Sequence, residues 1–199
     1  NDFKIKNNSP WKKYKNFWNL YNAASTPWIW HKELFKTAKK YNLEIFSSPF
    51  DESAVEFLER LKCPAYKIAS PEINHIPLIK KVAKTGKPVI LSTGLADLKD
   101  IKLAIKTLKR NGCKKIAVLQ CVSSYPAPIA EQNLKVITDI KKKFKVLSGL
   151  SDHTMGNTSA LTSVAMGGSI VEKHFNTSEK TKIFTKENNA PKVEDDKKF

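Results

Sequence analysis

The sequence predicts an α/β fold, a TIM-type (β/α) barrel that is incomplete, with about six of the eight strands such a barrel needs. Three observations predict it. Short apolar or β-branched runs alternate with amphipathic stretches of helical period, the loops between them are short, and the runs end in Ser, Thr, Lys, Asp or His on their carboxyl side. Alternation of this kind builds βαβ units and a parallel sheet. Right-handed crossovers wound in sequence then curl the sheet towards a barrel whose chemistry sits at the strand carboxyl ends. A doubly wound open sheet is the alternative, but it ordinarily carries a glycine-rich phosphate turn after its first strand, and this chain has none.

Residues 1–25 mix Asn, Lys and aromatics and read as a loop with a short helix, packed through its tryptophans. Thr26-Pro27 starts a helix, cap then proline, that runs to about Tyr41. The barrel portion spans 26–175. Its strands are expected at Leu43–Ser48, Ala65–Ser70, Pro88–Gly94, Lys115–Cys121, Val146–Leu150 and Ser169–Lys173. The helices between them are expected at Glu52–Leu61, Ile76–Lys84, Asp97–Arg110, Asn133–Phe144 and Thr158–Met166. Residues 176–199 lose the alternation and read as a divergent polar tail.

The net charge of +16 raises nucleic acid as a partner, but the lysines are spread opposite apolar helix stripes, as on solvated faces, so no nucleic acid is expected. No apolar run approaches a membrane span. Cys63, Cys113 and Cys121 lack metal spacing and suit a reducing cytoplasm, where the protein is expected to reside. The chain opens on Asn1 rather than methionine, which points to a fragment.

The strand ends read as one site. Gly149-Leu-Ser-Asp-His-Thr154 and Val171-Glu-Lys-His-Phe175 each put a histidine just past a strand. On neighbouring strands His153 and His174 would sit side by side, able to share an ion such as Zn or Mn. The six strands end in Ser47-Ser48, Lys67 with Ser70 and Glu72, Ser92-Thr93, Ser123-Ser124, Ser151-Asp152-His153 and Lys173-His174; small hydroxyls and a lysine are the donors that hold a phosphate, and Glu72 is a base or a cap for the helix after it. Tyr125-Pro-Ala-Pro128 forms a rigid loop over the mouth, closing on a ligand or bracing the next helix.

Six stretches, Phe46-Ser-Ser-Pro-Phe-Asp51, Tyr66-Lys-Ile-Ala-Ser70 with Glu72, Pro88-Val-Ile-Leu-Ser-Thr-Gly94, Cys121-Val-Ser-Ser-Tyr-Pro-Ala-Pro128, Gly149-Leu-Ser-Asp-His-Thr154 and Glu172-Lys-His-Phe175, together resemble the sialic acid synthases. Thr26-Pro-Trp-Ile-Trp-His-Lys-Glu-Leu-Phe35 is most similar to their pseudaminic acid synthase branch. The resemblance implies a TIM barrel that condenses phosphoenolpyruvate with an N-acetylated amino sugar in surface-glycan biosynthesis and releases phosphate. It implies a divalent metal, manganese first with magnesium or cobalt as alternatives, on His153 and His174. It further implies phosphoenolpyruvate contacts from Ser48, Lys67, Ser70, Ser92, Ser123 and Ser151, and proton handling by Glu72.

Family members begin with two further strands carrying a glutamate and a Lys-Phe-Gln motif, and neither feature is in this chain. The segment after His174 that helps hold the sugar has diverged, and the C-terminal antifreeze-like domain is missing. The expected partner is therefore a second copy, as a homodimer, or the complementary barrel segment. The alternative to an enzyme is a catalytically impaired fragment or subunit that binds a partner.

Overall fold

The computed structural model describes residues 3–7, 9 and 11–175, so the tail expected at 176–199 lies outside the described residues. Helices Phe17–Ala24 (α1) and Trp28–Lys40 (α2) precede the sheet. Strands Tyr66–Ile68 (β1), Val89–Ser92 (β2), Ile116–Cys121 (β3), Leu147–Asp152 (β4) and Ile170–Lys173 (β5) follow, with Glu52–Arg60 (α3) leading into β1. The crossovers carry Ile76–Ala83 (α4), Leu98–Arg110 (α5), Lys135–Phe144 (α6) and Thr158–Ala165 (α7). The strands pair in sequence order and always in parallel, as winding in one direction requires.

The first expected strand, Leu43–Ser48, is reduced to a single parallel bridge between Ser47 and Tyr66, with the Lys67 N–H donating to the Ser47 carbonyl at 3.1 Å. It would pair with β1 on one side only, and Leu43 and Phe46 stay exposed, so little holds a longer ladder together. The N-terminal aromatics also depart from expectation. Trp18 is 79% exposed, and Phe17 stacks on Tyr21 rather than entering a core.

The sheet curls. Lys67 on β1 and Glu172 on β5 meet at 2.7 Å, although the first and last of five strands lie roughly 19 Å apart in a flat sheet. The result is an α/β half-barrel. Strand residues alternate between its faces. Tyr66, Ile68, Val89, Leu91 and Val118 pack outward with Leu58, Leu78, Ile79, Val82 and Leu108 of the helices, and these side chains form the core. Lys67, Ser92, Cys121, Ser151 and Glu172 take the opposite, inner face in the observed register.

Local chemistry fixes the elements. Asp97 caps α5 by accepting from the Lys99 and Asp100 N–H groups, while Asp100 accepts from the Asp97 N–H in return. The lysines of α4 and α5 lie opposite Leu78, Ile79, Ile105 and Leu108, as solvated faces do. All three cysteines are free and buried. Among the described residues no helix is long and apolar enough to cross a membrane.

The inner face is not uniform. At the strand amino ends Ile90, Ala117, Leu147 and Ile170 border an apolar cavity of about 690 Å³. At the carboxyl ends it turns polar.

Gly149 brings β4 against β5, because a Cβ there would strike the Ile170 carbonyl, a backbone atom that cannot step aside. Gly149→Ala is expected to cost about 1–3 kcal/mol in urea denaturation. Ser148→Ala next to it removes a buried hydroxyl with no partner among the described residues and is expected to be neutral or stabilising. Equal midpoints for the two variants would contradict this account.

Candidate active site

The polar mouth is built around one carboxylate. Glu172 Oε1 accepts from Lys67 Nζ at 2.7 Å and from Ser151 Oγ at 2.6 Å. Parallel pairing makes Ser151 and Glu172 register partners, which is why the serine reaches the carboxylate directly. Burial works to raise the Glu172 carboxyl, but the bonds from Lys67 and Ser151 and the lysine charge win and hold it below the ordinary glutamate range. It is a carboxylate at neutral pH.

His153 and His174 follow the last residues of β4 and β5. Their ring centres are 5.2 Å apart with planes at 55°. Tyr125 packs edge-on against both, at 4.2 Å from His153 and 5.7 Å from His174. The loop carrying Tyr125 is tied down where the Ala127 N–H donates to the His153 carbonyl at 2.8 Å. Burial, and then the charge of His174, push the His153 imidazole down to about 4, so it is neutral at pH 7.

These features bear on a metal. Imidazoles sharing an ion at about 2.1 Å have ring centres roughly 4.5–5.3 Å apart for near-tetrahedral to right-angled donor pairs, so the separation fits. Ser151 Oγ gives its proton to Glu172 and lies 3.4 Å from His153 Nε2. His153 Nδ1 is buried with no hydrogen-bond partner among the described residues. A neutral ring with an unpartnered nitrogen is the form that ligates. Among the described residues no cluster of three or more His, Cys, Asp or Glu forms a cation cage, so the two rings would be joined by other donors, water or substrate.

The phosphate donors expected from the sequence fall into three groups. Lys67 and Ser151 are in the cluster, both buried. Ser70 accepts from the Gly94 N–H at 2.9 Å, and a side chain on Gly94 would strike Ser123 Oγ, so Ser70 and Ser123 flank the turn after β2. Ser92 is inward and buried, its hydroxyl without a partner among the described residues. Among the described residues no hydrogen bond or ion pair ties Ser48 or Glu72 to the cluster. Glu72 ends the 3₁₀ turn Ser70–Glu72 with Oε2 buried and without a partner among the described residues, and burial raises its carboxyl above the ordinary range.

Three residues stand differently from the sequence reading. Glu172 lies in a quoted motif but received no role, although its spacing of two from His174 puts both on the same strand face. Tyr125 proves to be a neighbour of both histidines. Lys173, read as part of the mouth, turns outward to Asp152.

A parallel half-barrel with its charged and hydroxyl groups gathered at the strand carboxyl ends has the architecture of a (β/α)-barrel enzyme. The chain belongs to the NeuB family, whose family model matches residues 1–188. It is 47% identical over 165 residues to the pseudaminic acid synthase of Helicobacter pylori, covering 83% of this chain and 48% of that protein. With the N,N'-diacetyllegionaminic acid synthase of Campylobacter jejuni it shares 46% over 147 residues, 73% of this chain and 44% of the relative. The crystal structure of an N-acetylneuraminic acid synthetase from Leptospira borgpetersenii, in complex with citrate, superposes with a TM-score of 0.77 at 34% identity, covering 81% of this chain and 56% of that one. The chain thus spans about half the length of the curated relatives it matches.

The His153 ring is expected to titrate near pH 4 in the folded, metal-free chain, read from imidazole NMR shifts. The unfolded chain takes up that proton near 6.5. Between about 6.5 and 4 the unfolded state therefore binds more protons, and stability falls as pH drops through that window. His153→Gln is expected to remove this component. A midpoint near 6.5 would mean the ring is solvated.

Proposed function

We propose that this chain carries the catalytic mouth of a nonulosonic acid synthase, a transferase that condenses phosphoenolpyruvate with an N-acetylated amino sugar and releases phosphate in surface-glycan biosynthesis. The observation that carries it is the convergence of Lys67, Ser151, Glu172, His153 and His174 from three strands onto one rim. Kinship with named pseudaminic and legionaminic acid synthases supports the substrate class.

In this reading Lys67 and Ser151, with Ser70, Ser92, Ser123 and Ser48, hold the phosphate and carboxylate of phosphoenolpyruvate. Buried donors hold an anion more firmly than solvated ones, because they are not lost to water. Glu172 holds the Lys67 ammonium and the Ser151 hydroxyl in place until the anion arrives. His153 and His174 would hold a divalent ion, manganese by preference, and that ion would supply Lewis acidity at the sugar aldehyde. The methylene carbon of phosphoenolpyruvate bonds to the aldehyde carbon, whose oxygen takes up a proton. Water adds at C2, and phosphate leaves with cleavage of its C–O bond. Glu72, inclined by burial to keep its proton, handles proton transfer at this centre. The Tyr125 ring shields the two imidazoles on one side.

The setting is cytoplasmic, where phosphoenolpyruvate is made. A second reading rests on the chain's share of its relatives' length: the mouth binds phosphoenolpyruvate but turns over only beside a complementary barrel segment or a second copy.

The test combines the 199-residue chain with Mn²⁺, phosphoenolpyruvate and six-carbon N-acetylated amino sugars, and follows inorganic phosphate. Sugar-dependent release is expected, with a loss of at least about 10²-fold in His174→Ala. Lys67→Met is expected to weaken phosphoenolpyruvate binding in calorimetry. Binding without turnover favours the second reading, and neither binding nor turnover sinks both.

A further inference from the structure

Each histidine-bearing motif contains a charged residue that the mouth does not use. Asp152 ends β4 and Lys173 ends β5. They are register partners on the outer face of the sheet, opposite Ser151 and Glu172. The Asp152 carboxylate is buried and fully engaged. Its Oδ2 accepts from Lys173 Nζ at 2.8 Å, and its Oδ1 accepts from the Thr154 N–H and hydroxyl, both at 2.8 Å. The same ammonium donates to the Thr154 carbonyl at 2.9 Å.

We infer that Asp152 and Lys173 are positioning residues, a clamp behind the mouth that fixes the separation of His153 and His174 and so sets affinity for a divalent ion. This rests on the reading of the two histidines as metal ligands. The connectivity carries the argument. Residues 152 and 154, on either side of His153, are both bonded to Lys173, the residue directly before His174. The backbone at one imidazole cannot shift without dragging the other. Ladder pairing ends at Asp152 and Lys173, and the backbone bond from the Ala127 N–H to the His153 carbonyl ties that turn to the loop after β3, not to His174.

Stability alone accounts poorly for the pair. Desolvating an ammonium and a carboxylate costs about as much as their attraction returns, and apolar replacements often do as well. What apolar side chains cannot supply is four directional bonds, two within the turn after β4 and two reaching it from Lys173 on β5. Groups that orient ligating histidines from behind commonly govern metal affinity by about 10–100-fold.

The test measures Mn²⁺ affinity of the full chain by electron paramagnetic resonance of the free ion, with melting temperature in parallel to confirm folding. Variants are His174→Ala, Lys173→Met, Lys173→Arg and the double Asp152→Asn/Lys173→Met. The clamp predicts that Lys173→Met and the double variant weaken Mn²⁺ binding about 10–100-fold while folded, and that Lys173→Arg stays within about threefold of wild type. The double variant leaves no unpaired buried charge and carries the test if Lys173→Met fails to fold. If it also fails, Thr154→Val, which removes one donor and no charge, replaces it. Wild-type affinity in the folded variants, with binding still lost in His174→Ala, overturns the clamp and leaves the metal reading standing. If wild type binds no Mn²⁺, or His174→Ala binds it normally, the metal reading fails. The clamp is then judged by nuclear Overhauser contacts between the two imidazoles in metal-free protein: kept in the double variant they overturn it, lost they uphold it.

Discussion

The ion pair between Lys67 and Glu172 is the interaction on which the mouth depends. It joins the first strand of the sheet to the last, and only a curled sheet lets them touch. Lys67 is buried, so its ammonium has given up most of its water. Such a charge is tolerable only with a partner, because a buried ion left alone costs several kcal/mol or more. Glu172 is that partner, and Ser151 completes it by donating to the same oxygen. The curl, the lysine charge and the serine orientation are one arrangement. An anion entering the mouth meets a lysine already paired, and must share or displace the carboxylate to reach it.

Glycines let the surrounding loops close on this centre. Gly94 has no side chain where Ser123 needs room, and its N–H reaches back to Ser70, so the turns after β1, β2 and β3 meet. Gly149 does the same between β4 and β5. Ser70 and Ser123 stay beside the turn after β2 because the backbones around them approach closely. Ser92 and Ser148 show the cost, since each buries a hydroxyl with no partner among the described residues. Ser92 faces the mouth, where a ligand oxygen would satisfy it, and Ser148 faces the helices, where none would.

Much of this was legible in the sequence. Helical periodicity and the Asp97 cap gave α5 to within a residue, and the apolar runs gave five strands in the right order and orientation. The common polarity of the strand ends gave the mouth, and Lys67 and Ser151, two of the six residues expected to hold a phosphate, lie with both histidines in one cluster. Leu43–Ser48 has a strand's composition, yet a strand is stable by pairing, and pairing is not written in the run itself. Glu172 and Lys173 were blurred together because reading a motif as a string ignores which face each residue takes. Counting by twos from His174 assigns Glu172 inward and Lys173 outward. The Tyr125-Pro-Ala-Pro128 loop was legible as one over the mouth, but nothing local sets the Tyr125 ring against histidines 28 and 49 residues further on.

The same count by twos explains why the histidines sit where they do. Between β4 and β5 there is a polar pair on each face, Ser151 with Glu172 inside and Asp152 with Lys173 outside, and a close glycine contact two residues earlier. A slip of one residue would turn every side chain of a strand to the other face. A slip of β4 would carry the Asp152 carboxylate to the interior away from its lysine, turn Ser151 towards the apolar helix layer, and put a side chain where Gly149 now leaves room, while a slip of β5 would turn Glu172 away from Ser151 and Lys67. Each change strands a charge or forces a clash, so the register has no near competitor. The rings that follow these two strands are thus held by constraints on both faces, and a site that needs two groups at a fixed separation is best built just past a register so fixed.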